Sequence, residues 1–239
     1  MRSVTPFLAV ALAITSLAPA DAASARTSPK PPIVVELFTA QGCAGCPQAD
    51  LALNALADRK DLIALSFPVD YWDYVGWKDT FAQPAFADRQ RAYANRLKVR
   101  ELYTPEVVVD GAKEVSGLDH DGLDALLKAP DADAHDGPKI RFRAKGVRIE
   151  IGQGEAPASS AEVWLVRYDP TLHQVKVKAG ENKGKTVLQR NVVRDLVHLG
   201  RWSGKSRSFT APAASEPGLS TVVLVQAVHG GKILAAAAG

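Results

Sequence analysis

The sequence predicts an α/β half followed by an all-β, sandwich-like half, and three observations carry that expectation. Between residues 32 and 129 short branched apolar runs alternate with stretches of helical period. After Pro138 the period changes to two and turn residues recur between short runs. Between the halves, residues 130–138 are poor in apolar side chains and bounded by Pro130 and Pro138, which reads as a linker.

The elements follow in order. Residues 33–38 (Ile-Val-Val-Glu-Leu-Phe) form a branched, apolar strand. Residues 47–58 repeat apolar positions at Leu51, Leu53 and Leu56, as a helix does. Residues 62–67 read as a second strand, and 81–97 as an amphipathic helix with Phe86, Tyr93 and Leu97 set among Asp88, Arg89, Arg91 and Arg96. Glu106, Val107, Val108 and Val109, then Asp110-Gly111, then Lys113, Glu114 and Val115 give strand, turn and strand. A helix over 121–128 closes this half, and the order β-α-β-α-β-β-α implies a central sheet covered by helices. Beyond Pro138, roughly six or seven short strands suggest a β-sandwich over 139–239.

Composition narrows the function. The 239 residues are 46% hydrophobic and 23% charged, an ordinary globular balance that excludes a disordered or collagenous chain. A net charge of +3, spread without a basic block, gives no reason to expect nucleic acid as a partner. Two cysteines are too few for a disulfide-stapled miniprotein or a four-cysteine zinc site. Residues 1–22 have a short basic start, an apolar run and a small-residue end, the pattern of a secretory signal peptide, and a polar segment, 23–31, follows. Export to the periplasm or outside the cell is therefore expected, with no stable membrane span after cleavage.

The chemical signal is Gly42-Cys43-Ala44-Gly45-Cys46-Pro47, placed where a strand ends and a helix begins. Unpaired N–H groups and the positive end of a helix dipole stabilise the thiolate of the first cysteine, and the second, one turn on, is near enough to close a disulfide or resolve a mixed one. Three readings fit: redox chemistry, a small structural disulfide in an interaction module, and a soft Cu(I) site for binding or delivery. The histidines are not spaced as ligand partners, so no metal site and no cofactor are expected from the pattern. A second feature is Tyr103-Thr104-Pro105 before the strand at 106–109, where a proline able to adopt a cis bond brings a backbone edge beside a disulfide.

Taken together, Cys43, Cys46 and Thr104-Pro105 in this element order resemble the thioredoxin superfamily over residues 32–129. The resemblance implies Cys43 as nucleophile, Cys46 as resolving thiol, and Thr104 and Pro105 beside the substrate. It also implies a buried acid on the first strand that assists the resolving thiol, and Glu36 is the acid present there. Its partners would be protein or small-molecule thiols.

A narrower likeness spans nearly the whole chain. Glu36-Leu37-Phe38-Thr39, Gln41-Gly42-Cys43, Asp70-Tyr71-Trp72-Asp73, Gly76-Trp77-Lys78-Asp79, Gln90-Arg91-Ala92-Tyr93, Tyr103-Thr104-Pro105, Glu181-Asn182 and Asn191-Val192-Val193 resemble the secreted bacterial family DUF1223.

Asp70, Tyr71, Trp72 and Trp77 follow the second strand, at the sheet end expected to hold the cysteines. They are expected to build one wall of the site, or else to pack an inserted loop. Residues 179–186 satisfy a loosened phosphate-loop pattern, but Ala179 stands where glycine is required and the segment lies between two strands. It reads as a hairpin loop.

Overall fold

The computed structural model describes residue 1, residues 31–129 and residues 137–239. Residues 2–22 of the expected signal peptide, nearly all of the polar segment after it, and residues 130–136 of the linker lie outside the described residues.

The described residues form thirteen strands and three α-helices. They run β1 Ile33–Thr39, α1 Cys46–Leu56, β2 Leu62–Pro68, α2 Pro84–Leu97, β3 Glu106–Val109, β4 Lys113–Ser116 and α3 His120–Lys128. The second half adds β5 Ile140–Arg143, β6 Arg148–Ile151, β7 Ala161–Asp169, β8 His173–Lys176, β9 Thr186–Gln189, β10 Val192–Trp202, β11 Arg207–Thr210, β12 Ser220–Ala227 and β13 Ile233–Ala238. A single 3-10 turn, Asp73–Val75, interrupts the loop after β2.

Local chemistry accounts for the boundaries. Pro47 and Pro84 sit in the first turns of α1 and α2, where a missing N–H costs nothing. Lys98 ends α2 in the left-handed region at φ 64°. Asp110 and Gly111 turn β3 into β4 with positive φ, and a Cβ on Gly111 would lie 2.7 Å from the Gly231 carbonyl oxygen, so glycine is required there.

The expected architecture, a thioredoxin-like α/β domain with a separate β-sandwich behind it, is corrected by the sheet. One mixed, eight-stranded sheet runs β13-β12-β7-β10-β2-β1-β3-β4 through both halves, and the molecule is mostly β. β1 and β2 are parallel, and β10 joins β2 in parallel at Val192 and Ser66. Asn191 fastens that junction: its carbonyl accepts from the Ser66 N–H at 3.0 Å and its side-chain amide donates to the Ala64 carbonyl at 2.8 Å.

Packing follows the same continuity. Val34 and Phe38 of β1 share a core with Phe67, Phe86 and Tyr93 and, from the second half, with Val166, Val193, Val222 and Leu224. On the other face Val35 and Leu37 meet Ala49 and Leu53 of α1 and Leu123 and Leu127 of α3. A third core forms where the small sheet β11-β6-β5 lays Ile149, Ile151 and Phe209 over Val163, Leu165, Val223 and Val225. The physical reason is burial on both faces. Val222, Val223, Leu224 and Val225 are consecutive and fully buried, the mark of a central strand rather than of a half-solvated sandwich strand.

Candidate functional site

β1 ends at Thr39, and the chain then crosses a short loop to Cys46, the first residue of α1. Cys43 and Cys46 form a disulfide across this loop, with Cα atoms 5.4 Å apart. Both are nearly inaccessible: Cys43 is 2% exposed and Cys46 0%. Ala44 and Gly45 between them reach the surface.

One side of the disulfide is built by Pro105 and Leu118. A side chain on Gly45 would meet Leu118 Cδ1 at 3.2 Å and Pro105 Cδ at 3.7 Å, so both lie against the middle of the motif. The Thr104–Pro105 peptide is cis. Leu118 is 44% exposed, an apolar side chain left in solvent beside the motif.

The 3-10 turn builds the other side. A side chain on Gly42 would meet Val75 Cγ2 at 3.0 Å and the Trp72 carbonyl oxygen at 3.7 Å. Trp72 stacks on Tyr74 with ring centroids 6.1 Å apart, and Tyr74 is 80% exposed. Trp72 and Tyr71 also pack against the core that contains both cysteines. Tyr71 donates its hydroxyl to Gln90 Oε1 at 3.1 Å, and burial pushes its pKa up to about 12. Asp70 is half-buried at the start of the same loop.

Trp77 does different work. Its indole N–H donates to Gln41 Oε1 at 3.0 Å, and Gln41 is the buried polar centre of the loop that precedes Cys43. The Gln41 amide also donates to Thr80 Oγ1 at 2.9 Å and to Gln189 Oε1 at 3.0 Å, while its backbone N–H donates to Asp79 Oδ2 at 2.7 Å. Burial raises Asp79 to about 6 against the pull of these N–H bonds. Trp77 is thus tied into the loop support, whereas Trp72 packs on the core beside the motif and carries the exposed Tyr74 ring on its face.

The roof comes from the second half. The segment 177–185 connects β8 and β9, closed by Val177 N–H to the Lys185 carbonyl at 3.0 Å and Gly184 N–H to the Val177 carbonyl at 2.9 Å. Buried Asn182 donates its side-chain amide to the carbonyls of Gln41 at 2.9 Å and Cys43 at 2.7 Å. Glu181 Oε2 accepts the Ala44 N–H at 2.9 Å. The phosphate-loop lookalike is therefore a hairpin loop, and it closes over the cysteines.

Glu36, which the resemblance assigns to the resolving thiol, is committed to other partners. Arg89 Nε donates to its Oε1 at 2.7 Å and Arg89 Nη2 to its Oε2 at 3.1 Å, and the Tyr93 hydroxyl also donates to Oε2. Both carboxylate oxygens are engaged in this buried network, which Gln226 of β12 completes by accepting from Arg89 Nη1 at 3.2 Å.

Two other buried acids lie near the motif. Glu106, the residue after Pro105, is fully buried; burial raises it to about 7, Gln90 opposes the shift by donating to its Oε2 at 2.7 Å, and Glu114 adds to it. Asp50, one helical turn after Cys46 on α1, is 1% exposed and held well above the usual carboxylate range, chiefly by burial. Glu106, Asp50, Tyr74, Leu118, Glu181 and Asn182 were not among the site residues read from the sequence. Acids inside otherwise apolar segments were the available signal for the first two, and the Glu181-Asn182 pair for the last.

A family profile described as "Protein of unknown function (DUF1223)" matches residues 34–226. Among solved structures, protein AGR_C_4864 from Agrobacterium tumefaciens is similar at 30% identity and a TM-score of 0.70, covering 89% of this chain and 95% of that one. HBP35 of Porphyromonas gingivalis aligns at 11% identity and a TM-score of 0.49, over 88% of this chain and 75% of that one. No curated protein matches. With the profile covering most of its length, the chain belongs to the DUF1223 family.

Proposed function

We propose that this chain exchanges thiols and disulfides with an exported client through Cys43 and Cys46, in the periplasm or outside the cell. The observation that carries the reading is the Cys43–Cys46 disulfide at the start of α1, with Pro105 and Leu118 on one side of the motif and the Trp72–Tyr74 pair on the other. The helix start supplies main-chain N–H groups and a favourable dipole for a thiolate. The exposed leucine and tyrosine give an apolar client segment a surface to rest on, which favours protein thiols over small polar ones.

The chemistry balances in either direction. A client thiolate attacks Cys43 Sγ, the Cys43–Cys46 bond breaks, and Cys46 leaves as a thiolate that takes up a proton. The second client thiol then displaces Cys43, and two electrons have passed from client to protein. In reverse, the Cys43 thiolate attacks a client disulfide and Cys46 resolves the mixed disulfide. What the reading shares with the thioredoxin superfamily is this pairing of CxxC with Pro105.

The test is dithiothreitol-driven insulin reduction by the chain lacking residues 1–22. Turnover lost in Cys43→Ser, with a mixed disulfide trapped in Cys46→Ser, supports exchange. Stoichiometric Cu(I) binding without turnover overturns it in favour of a copper carrier. Neither turnover nor copper binding overturns it in favour of an inert structural disulfide.

A further inference from the structure

We propose that Glu181 is a positioning residue that weakens the acidity of the Cys43 thiol and so holds the pair toward its disulfide form. The inference rests on the exchange reading above and names what regulates that site. Its basis is the seating of the β8–β9 loop. Buried Asn182 pins the loop to the carbonyls of Gln41 and Cys43, and this delivers the Glu181 carboxylate to the Ala44 N–H, one residue beyond the nucleophile.

Two effects follow, both of the same sign. A main-chain donor of the motif is taken up by a carboxylate, and a negative charge is placed at the residue that follows a sulfur that must itself become negative. Like charge disfavours the ionised form. In the disulfide no charge forms on sulfur, so Glu181 costs the oxidised state nothing and still satisfies the Ala44 N–H.

The other charged groups around the motif do not substitute for it. From α1 comes Asp50, from the loop after β2 come Asp73 and Asp79, and from β3 comes Glu106. Burial holds Asp50 and Glu106 toward their protonated forms, and the Asp79 carboxylate is occupied by the N–H groups of Gln41 and Phe81. Asp73 accepts the Asp79 N–H at 3.0 Å. Lys185, on the same loop, donates to Asn182 Oδ1 at 3.0 Å and helps to hold the pinning side chain. Glu181 alone among these accepts from a main-chain N–H between the two cysteines.

The experiment follows alkylation of Cys43 in the reduced protein against pH, by mass spectrometry, for wild type, Glu181→Gln and Glu181→Lys. Glutamine keeps the acceptor oxygen and the loop contact and removes only the charge. The expected result is an alkylation midpoint lower by about half a unit or more in Glu181→Gln and lower still in Glu181→Lys, with the plateau rate at high pH unchanged. Added salt moves the wild-type midpoint toward that of Glu181→Gln. In a glutathione buffer, the reaction of protein disulfide with two glutathione thiols to give the dithiol and glutathione disulfide shifts toward the dithiol by about threefold or more.

Coincident midpoints in all three proteins overturn the proposal, as does a change confined to the plateau rate, which would make Glu181 a steric cover. Failure of the exchange reading is separable. Absence of insulin turnover with a shifted midpoint sinks that reading alone, and intact turnover with unshifted midpoints sinks this one alone.

Discussion

The side-chain amide of Asn182 donates to the carbonyl oxygen of Cys43 at 2.7 Å, across 139 positions of chain. Because the same amide donates to the Gln41 carbonyl at 2.9 Å, one side chain from the second half satisfies two main-chain acceptors on either side of Gly42. The conformation of the CxxC loop therefore depends on a residue far from it in sequence.

Asn182→Ala removes both bonds at once and leaves two carbonyls of the motif without this partner. An unsatisfied buried group costs about 1–3 kcal/mol, so a loss in that range is expected in urea denaturation of the oxidised protein. Freed from its pin, the roof lifts, and reduction of the Cys43–Cys46 disulfide by dithiothreitol should accelerate several-fold in Asn182→Ala. An unchanged reduction rate would show that the roof does not limit access.

Glu106 predicts a pH dependence of stability. Its pKa is raised from 4.5 to about 7 chiefly by burial, so folding favours its protonated form. The stability it contributes is complete below about pH 4.5 and is lost as pH rises through about 7, a loss of roughly 3 kcal/mol at most from the size of the shift. Glu106→Gln keeps an oxygen for the Gln90 amide and removes the ionisation. Thermal unfolding should show the variant more stable than wild type at mildly alkaline pH and close to it in acid. Parallel curves across that range would mean that Glu106 does not titrate in the folded protein.

Glu36→Gln separates fold from chemistry. The substitution leaves the Arg89 guanidinium, whose side chain is 6% exposed, without its carboxylate partner. Breaking a buried pair from one side costs about 3–5 kcal/mol, and the melting temperature should fall accordingly. The pH midpoint for resolution of a mixed disulfide by Cys46 should stay where it is in wild type, since both Glu36 oxygens are occupied by Arg89 and Tyr93. A midpoint that moves would return Glu36 to the role the resemblance assigned to it.

What was legible in the sequence was local. The CxxC at a strand-to-helix junction, the proline before β3 and the hairpin nature of 177–185 depend on residues within a few positions of one another. Nothing within Asn191-Val192-Val193 says that it extends a sheet begun at Ile33. Period-two patterning after Pro138 suggested strands with one wet face. Runs of four apolar residues at 163–166 in β7 and 222–225 in β12 signal strands covered on both sides, and that burial is what merges the halves. The site was half-read for the same reason: Cys43, Cys46 and Pro105 belong to one half, whereas Glu181 and Asn182 reach the motif only after the strands of the second half are in place.

Tyr74 and Trp72 give the last prediction, because they separate recognition from reactivity. The stacked pair lies beside Gly42, with Tyr74 80% exposed. Tyr74→Ser removes an apolar face without disturbing either sulfur or the N–H groups near them. If a client segment rests on this face, burying part of one aromatic ring contributes about 1–2 kcal/mol to binding, so KM for an unfolded protein disulfide should rise about fivefold to thirtyfold with kcat little changed. Turnover of a small disulfide such as oxidised glutathione, which is polar and has no apolar segment to lay on the ring pair, should be unaffected. Equal losses for both substrates would place Tyr74 in the support of the loop rather than in recognition. An unchanged KM for the protein substrate would remove the aromatic pair from the client surface and leave Pro105 and Leu118 as the apolar contacts beside Gly45.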